Sequence, residues 1–424
     1  MAADSPRTAR PLDALNFFLA DVRDGLGPYL AIYLLVVQHW DAAAIGTVMS
    51  VAAIAGIVAQ TPAGALIDGT TAKRAAIVVA ALAVTAGSLV LPFIDSFWFV
   101  AATQAATGVA AAVFPPAVAA ITLGIVGPKA FGRRVGRNEA FNHAGNATAA
   151  TIAGVTAYFF GPIAVFWLMA AMAIASIIAT LSIPAEAIDH ELARGLAEDA
   201  ADPSHHDQPS GWRAIIASRP LMIFAACTTL FHFANAAMLP LVGQKLALVN
   251  QELATTLMSV CIVAAQAVMV PVAMITGAKA DAWGRKPIFL VALAVLALRG
   301  ALYPFSDNPY WLVGVQLLDG VGAGIFGALF PLIVADLTRG TGRFNVSQGA
   351  IATAQGIGAA LSAGVAGVIV VGYGYGAAFL FLAGVAAGGL ALFWLGMPET
   401  RDVAPQGQGA QEPRGQEQAV RSTP

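Results

Sequence analysis

The sequence is short of charge. Of its 424 residues only 11% are Asp, Glu, Lys or Arg, against about 25% in an ordinary soluble domain. Stretches such as Val48–Ala65, Ala75–Phe93 and Leu380–Gly396 carry no charge at all. Sulfur is scarce too. Cys227 and Cys261 both lie in apolar runs, so neither a disulfide nor a metal-ligand spacing follows from them. No basic excess exists: the net charge is −2, which leaves no case for nucleic acid as a partner. No Gly-x-x-x-x-Gly-Lys-Ser/Thr loop is present, so ATP is not the expected energy source, and no cofactor is expected. No nucleophile–base or metal constellation stands out, which argues against an enzyme. Ten-residue alternation of apolar and polar residues is also missing, and this sets aside a strand barrel.

What is there is apolar: 58% of the chain. Backbone groups in lipid must be satisfied within the segment, so long apolar runs read as helices. An all-α membrane protein with twelve transmembrane helices is expected. The spans fall near 13–38, 42–66, 75–94, 97–125, 138–160, 162–183, 220–245, 252–276, 287–305, 309–336, 345–371 and 374–396. The first span is interrupted by Asp21, Arg23 and Asp24 and lacks a cleavage site, so it reads as a retained helix and not a signal peptide. The spans divide the chain into an N-terminal segment 1–12, a six-helix bundle 13–184, a solvated linker 185–219, a second bundle 220–397 and a disordered tail 398–424. Trp212–Arg219, at the end of the linker, reads as an interfacial segment. On this layout 19 of the 22 Lys and Arg fall on one side, the exceptions being Arg23, Lys245 and Arg299. The positive-inside rule then places both termini in the cytoplasm of a cell, with a bacterial inner membrane as the expected location.

The two halves repeat. Gly64-x-x-x-Asp68 with Lys73 and Arg74 follows the second span. Gly277-x-x-x-Asp281-x-x-Gly284-Arg285-Lys286 follows the eighth, 213 residues on. Gln104-x-x-x-Gly108 in span four answers Gln316-x-x-x-Gly320 in span ten, and Pro184-Ala-Glu186 answers Pro398-Glu399. This arrangement resembles the major facilitator superfamily (MFS) over nearly the whole chain. Gly277 to Lys286 matches that family's loop signature, while the first copy departs from it at Thr71 and Ala72. The resemblance implies two pseudo-symmetric six-helix bundles rocking about a central cavity lined by spans one, four, five, seven, ten and eleven. It also implies that the two loops form a gate, with the intact second-half copy expected to be the better-formed part. The Asp of such a loop can sit at a neighbouring helix N-terminus or pair with Arg. Relatives that export drugs carry an Arg where Gln104 stands and a Gly-Pro pair in span five, absent here.

Polar residues at membrane depth are costly and normally face a cavity or a partner. Asp21 and Asp24 share a face of span one. In span five Glu139, Asn142, His143 and Asn146 form a stripe at i, i+3, i+4 and i+7, and His143 is able to titrate near neutral pH. His232 and Asn235 share a face of span seven, and Met238 follows; one His and one Met are too few for a metal. Gln316 and Asp319 share a face of span ten, where Asp319 reads as the best isolated acid of the second half. Arg299 in span nine reads as snorkelling outward. Gln355 in span eleven falls opposite His143 under the offset of 212 that relates Gln104 to Gln316. His190, His205 and His206 belong to the linker.

Together these point to a monomeric secondary active transporter, embedded in membrane lipids, that moves a small organic molecule by alternating access. A proton is the expected coupling ion, carried by Asp21, Asp24, His143 or Asp319, with a slight lean to efflux. A proton-independent facilitator, an uptake symporter and a non-transporting sensor are the rival readings. The few midplane charges mildly favour an amphipathic or weakly charged solute.

Overall fold

The computed structural model describes residues 6–24, 26, 29–30, 33–34, 37–40, 42–161, 163–196, 218–249 and 254–401. Among them every long element is a helix and no strand occurs. The helices are α1 (Pro6–Asp24), α2 (Ala42–Gly69), α3 (Lys73–Leu89), α4 (Phe97–Ala111), α5 (Phe114–Phe160), α6 (Ala164–Leu181), α7 (Arg219–Ala236), α8 (Met238–Val249), α9 (Ala254–Trp283), α10 (Arg285–Leu302), α11 (Pro309–Leu337) and α12 (Phe344–Gly396).

Two of these are pairs of helices joined at a glycine. Gly127 (φ 69°, ψ 171°) breaks α5, and Gly374 (φ 84°, ψ 170°) breaks α12. Positive φ is cheap only for glycine, and Pro128 at the first position of the next leg supplies a preset φ. The chain reverses at both points. Asn138 Nδ2 donates to Thr122 Oγ1 at 2.9 Å across the first turn. Gly358 and Gly389, on the two legs of α12, pack against the adjacent Thr229 and Leu230 of α7. Hydropathy places the loop between spans four and five at about 126–137. In the structure Lys129, Arg133, Arg134 and Arg137 instead belong to the second leg of α5. Among the described residues nine segments are long and apolar enough to cross a membrane. Dividing two of them at Gly127 and Gly374 gives eleven, and the first expected span, 13–38, is described only in part. The count of twelve therefore rests on the sequence.

The outer surface suits lipid. Trp98, Phe160, Trp167, Phe305, Tyr310, Trp394 and Leu395 all stand exposed, the amphipathic aromatics being typical of membrane interfaces. Inside, the core of the second bundle runs on into Leu123, Val126, Phe131 and Val135 of the first, which has further clusters of its own. Phe224, Phe289, Phe379 and Phe393 fill the second; Leu15, Ile77, Phe114 and Ile121 fill much of the first.

The bundles meet along two seams that obey the repeat atom by atom. In the first, a Cβ on Gly64 would lie 2.2 Å from the Asn345 carbonyl oxygen, and one on Gly349 would lie 2.2 Å from that of Gln60. In the second, a Cβ on Gly277 would lie 2.6 Å from Gly132 O, and one on Gly136 would lie 2.5 Å from Ala273 O. Adding or subtracting 213 converts each pair into its counterpart. The same device recurs within each bundle, where Gly108 crosses Ala52 and Gly320 crosses Ala265. Small residues let backbones approach where lipid offers no hydrophobic drive to association. Both seams lie at the end of the molecule that carries the repeated loops, called here the motif end. Asp13 near the start of α1 and Arg401 after α12 also lie there, bonded to Arg137 and to the Asp281 carbonyl respectively.

Thr61 Oγ1 and Thr353 Oγ1 are 3.0 Å apart across the first seam. A Thr61→Cys/Thr353→Cys pair is expected to cross-link under mild oxidation, and adding Gly64→Ala is expected to lower the yield several-fold on a non-reducing gel. An unchanged yield would show that the seam does not depend on that close approach.

Candidate functional site

At the motif end the two loop copies make different bonds. Asp68, at the end of α2, is buried and receives three hydrogen bonds from the start of α12: Asn345 N at 3.2 Å, Asn345 Nδ2 at 2.8 Å and Val346 N at 2.8 Å. A carboxylate at a helix N-terminus satisfies orphan N–H groups and meets the positive end of the helix dipole. Lys73 folds back, its Nζ donating to Thr70 O at 2.7 Å, and Arg74 donates to the Ile183 carbonyl beyond α6. In the second copy Asp281 instead bonds Arg285 within its own half, at 2.6 Å. Arg285 is buried and also bonds Asp336 of α11 at 3.0 Å. Glu399 closes the same corner, accepting the backbone N–H of Arg285 at 2.8 Å and of Lys286 at 3.1 Å.

The intact copy was expected to form the better part of the gate. In this structure the degraded copy makes the carboxylate contact between the halves. Thr71 explains its departure from the signature. Gly284, its repeat counterpart, has φ +87°, while the described turn at Thr71 and Ala72 needs no positive φ.

The expected solvated linker is described from 185 to Leu196, and there it is folded. Its residues 188–196 form a strap across the motif end, with Ile188 and Ala193 buried. Asp189 N donates to Gly124 O at 3.0 Å on the first half. Ala193 O receives Asn345 Nδ2 at 2.9 Å, and Gly195 O receives Gly340 N at 2.7 Å, both from the second half. His205, His206 and Trp212 lie outside the described residues.

Between the bundles lies a cavity of about 380 Å³, within the usual range for ligand sites of about 300–1,000 Å³. Its walls come from α1, α2, both legs of α5, α7, α11 and the first leg of α12. Of the sequence candidates, Asn142, His232 and Gln355 line it. Arg23, Gln60, Asn138, Glu139 and Gln348 line it as well. Gln348 was legible in the sequence, being seven residues before Gln355 on one helical face. Asn16 was legible in the same way, seven before Arg23. His143 stands at the seam beside this cavity. Its Nδ1 is 2.7 Å from Gln266 Oε1 of α9, and its Nε2 is 4.0 Å from Glu139 Oε2. Asn142 Nδ2 donates to the same Glu139 oxygen at 3.4 Å. Asn146 is partly buried one turn further along, Asp21 is partly buried in α1, and Gln104 is buried in α4. The Asp24 side chain lies outside the described residues. A larger cavity of about 550 Å³ lies at the motif end beneath the strap. Its charged walls are Asp281, Arg285 and Asp336 of the second loop corner together with Lys129, Arg339 and Arg401.

Two expectations about the second half are corrected. Asp319 is not isolated, and Arg299 does not snorkel outward. Arg299 is 1% exposed and forms an ion pair with Asp319. Arg299 Nη2 also donates to Asn235 Oδ1 at 2.6 Å and contacts the Met238 sulfur at 3.1 Å. Gln316 Nε2 donates to Asp319 at 3.0 Å, and its Oε1 accepts from Tyr303. The cluster is satisfied internally, and none of its members lines the cavity. An unpaired charge in that position would be costly, which is why the two charges face each other.

This fold and site define a multi-pass helical membrane protein whose two repeated halves enclose a solute-sized cavity. The comparisons identify its class. A family model described as Major Facilitator Superfamily matches residues 13–298 and 251–423. An uncharacterized MFS-type transporter of Mycobacterium tuberculosis, from strains H37Rv and CDC 1551, is 61% identical over 402 residues, covering 95% of this chain and 96% of the relative. The chain belongs to the Major Facilitator Superfamily, a family of transporters that bind small-molecule substrates. Two solved structures share the fold. The human organic anion transporter MFSD10 has a TM-score of 0.70 at 15% identity, covering 92% of this chain and 100% of that one. The proton:xylose symporter XylE has a TM-score of 0.70 at 12% identity, covering 92% and 95%.

Removing one partner of the buried Arg299–Asp319 pair strands the other. Arg299→Leu alone is expected to cost about 3–5 kcal/mol, and the double variant Arg299→Leu/Asp319→Leu is expected to recover most of it. Thermal unfolding in detergent checks both.

Glu399 gives a pH signature. Burial pushes its carboxyl up, but the backbone N–H groups of Arg401, Arg285, Lys286 and Thr400 together outweigh burial and hold it below its ordinary value of 4.5. A depressed carboxylate stabilises the fold above its unfolded value, and that stability is lost as pH falls through the folded value. Glu399→Gln is therefore expected to unfold earlier than the parent at pH 7. The gap should begin to close below about pH 4.5 and vanish once the parent is protonated. A gap independent of pH would exclude the charge as its source.

Proposed function

We propose that the chain is a secondary transporter that moves a small solute through the central cavity by alternating access, with proton binding at the Glu139–His143 pair as the coupling step. The observation that carries this is the position of His143. It bonds across the seam to Gln266 and touches the cavity acid Glu139. With the Gln266 amide oxygen accepting, Nδ1 carries the hydrogen and Nε2 holds the free lone pair. That Nε2 is buried and has no hydrogen-bond partner. A proton taken up there faces the Glu139 carboxylate and turns a neutral contact into an ion pair. Proton occupancy thereby changes the charge state at the point where the halves touch, which is what coupling requires. Binding near the midplane between repeats is the general layout of such carriers.

Asp319 drops out as a carrier, because Arg299 occupies it. Asp21 and Asp24 remain second candidates on α1. The charge bias of the loops supports a bacterial inner membrane with the motif end in the cytoplasm.

Purified protein in vesicles with an imposed pH gradient tests the reading, with proton flux followed as candidate solutes are added. Glu139→Gln and His143→Ala are expected to lower gradient-driven transport by at least about tenfold while sparing solute exchange at equal pH. Reversing the gradient reports the direction, and net export would bear out the lean to efflux. Solute movement without proton flux in the parent would replace coupling by facilitated diffusion. No solute movement and no flux at all would leave the sensor reading.

A further inference from the structure

We infer that the central cavity is built for a neutral, hydroxyl-rich ring solute of roughly monosaccharide size, an inference that rests on the transport reading above. The wall chemistry points there. Carboxamides from four helix legs reach the cavity: Asn16, Gln60, Asn138, Asn142, Gln348 and Gln355. A carboxamide offers two donors and an acceptor on one head, which matches hydroxyls that both donate and accept. Gln348 and Gln355 are 5% and 8% exposed, and the Nε2 of each is buried without a partner. Buried polar groups are nearly always satisfied, so turning either amide to present its Nε2 to the cavity, where a ligand offers acceptors, would satisfy an orphaned donor.

The charges argue for neutrality. Arg23 and Glu139 both line the cavity, and their formal charges cancel. A cationic solute would meet a carboxylate already in contact with Asn142 and His143. An anionic solute would have Arg23 alone, opposed by that same carboxylate.

Stacked rings of α11 supply an apolar shelf. The Phe326 and Phe330 rings lie 12° apart with centroids at 5.6 Å, and both face the cavity. The C–H face of a sugar-like ring covers such a surface while its rim hydroxyls reach the amides.

The experiment uses the full chain in vesicles and follows uptake of radiolabelled D-glucose, D-ribose and myo-inositol. Gluconate serves as the anionic comparator and tetraethylammonium as the cationic one. At least one neutral polyol is expected to show saturable, gradient-dependent uptake and to raise the unfolding temperature in detergent. Gln348→Met and Gln355→Met, which keep volume and lose the amide, should each weaken that binding about tenfold while leaving the ligand-free unfolding temperature near that of the parent. If a glutamine variant fails to fold, Phe330→Leu provides the second test, with a similar loss expected from removal of the shelf. Saturable gluconate or tetraethylammonium transport with none for the polyols would overturn the solute class and leave the transport reading standing. So would polyol affinities indifferent to all three substitutions. Failure of all five probes, with no proton flux, would sink the transport reading itself.

Discussion

The constraint on which the rest depends is how closely two helices can pass in lipid. With no hydrophobic force to press helices together there, contact comes from backbones brought within reach of each other. Gly64 and Gly349 achieve it on one side of the molecule, Gly136 and Gly277 on the other. Because the two crossings are repeat copies, the halves meet as a matched pair and are held together at the motif end. The cavity exists because the helices separate beyond these crossings. Its polar lining survives at membrane depth because the helices carrying it are anchored at the seams.

The repeat is not a mirror in its chemistry. Asp68 spends its bonds on the N-terminus of α12, while Asp281 spends them on Arg285, four residues away. Arg285 is the deciding residue: no arginine stands at the corresponding place after Asp68, where Ala72 is found. With no arginine there, and with the Lys73 ammonium bonded to the Thr70 carbonyl, Asp68 takes its hydrogen bonds from the facing helix end. Loss of the signature Arg in the first copy therefore changes an internal ion pair into a bond between the halves.

Much of this was legible in the sequence. The apolar runs, the offset of 213 and the polar stripe of the fifth span led to the fold, to Gly64 and Gly277 on one side of each seam, and to the face that Glu139 and His143 share. What was not legible has a common cause. Arg299 and Asp319 lie on different helices, and hydropathy does not say which face of an apolar helix meets a neighbour. So Arg299 read as lipid-facing and Asp319 as alone. Asp13 likewise meets Arg134, 121 residues later, at 2.7 Å, a pairing that only the packing of α1 on α5 could select. The strap was hidden because its acidic composition reads as solvated, and only Ile188 and Ala193 hinted otherwise. Gln348 was readable by face periodicity but not by repeat, since its first-half counterpart is Val135.

In the alternating-access cycle proposed above, the strap would have a kinetic meaning. It is held to its own bundle by Asp189 and Gly124, and to the other by Ala193 and Gly195. When the bundles part, the contacts to Asn345 and Gly340 are the ones that must break, because the Asp189 anchor moves with its own half. The released end then stays tethered a few residues from its partners. Its return is an intramolecular encounter at an effective concentration of order millimolar. On that reading the linker would work as a captive ligand of the second half, its affinity setting how long the motif end stays shut without touching the transported solute.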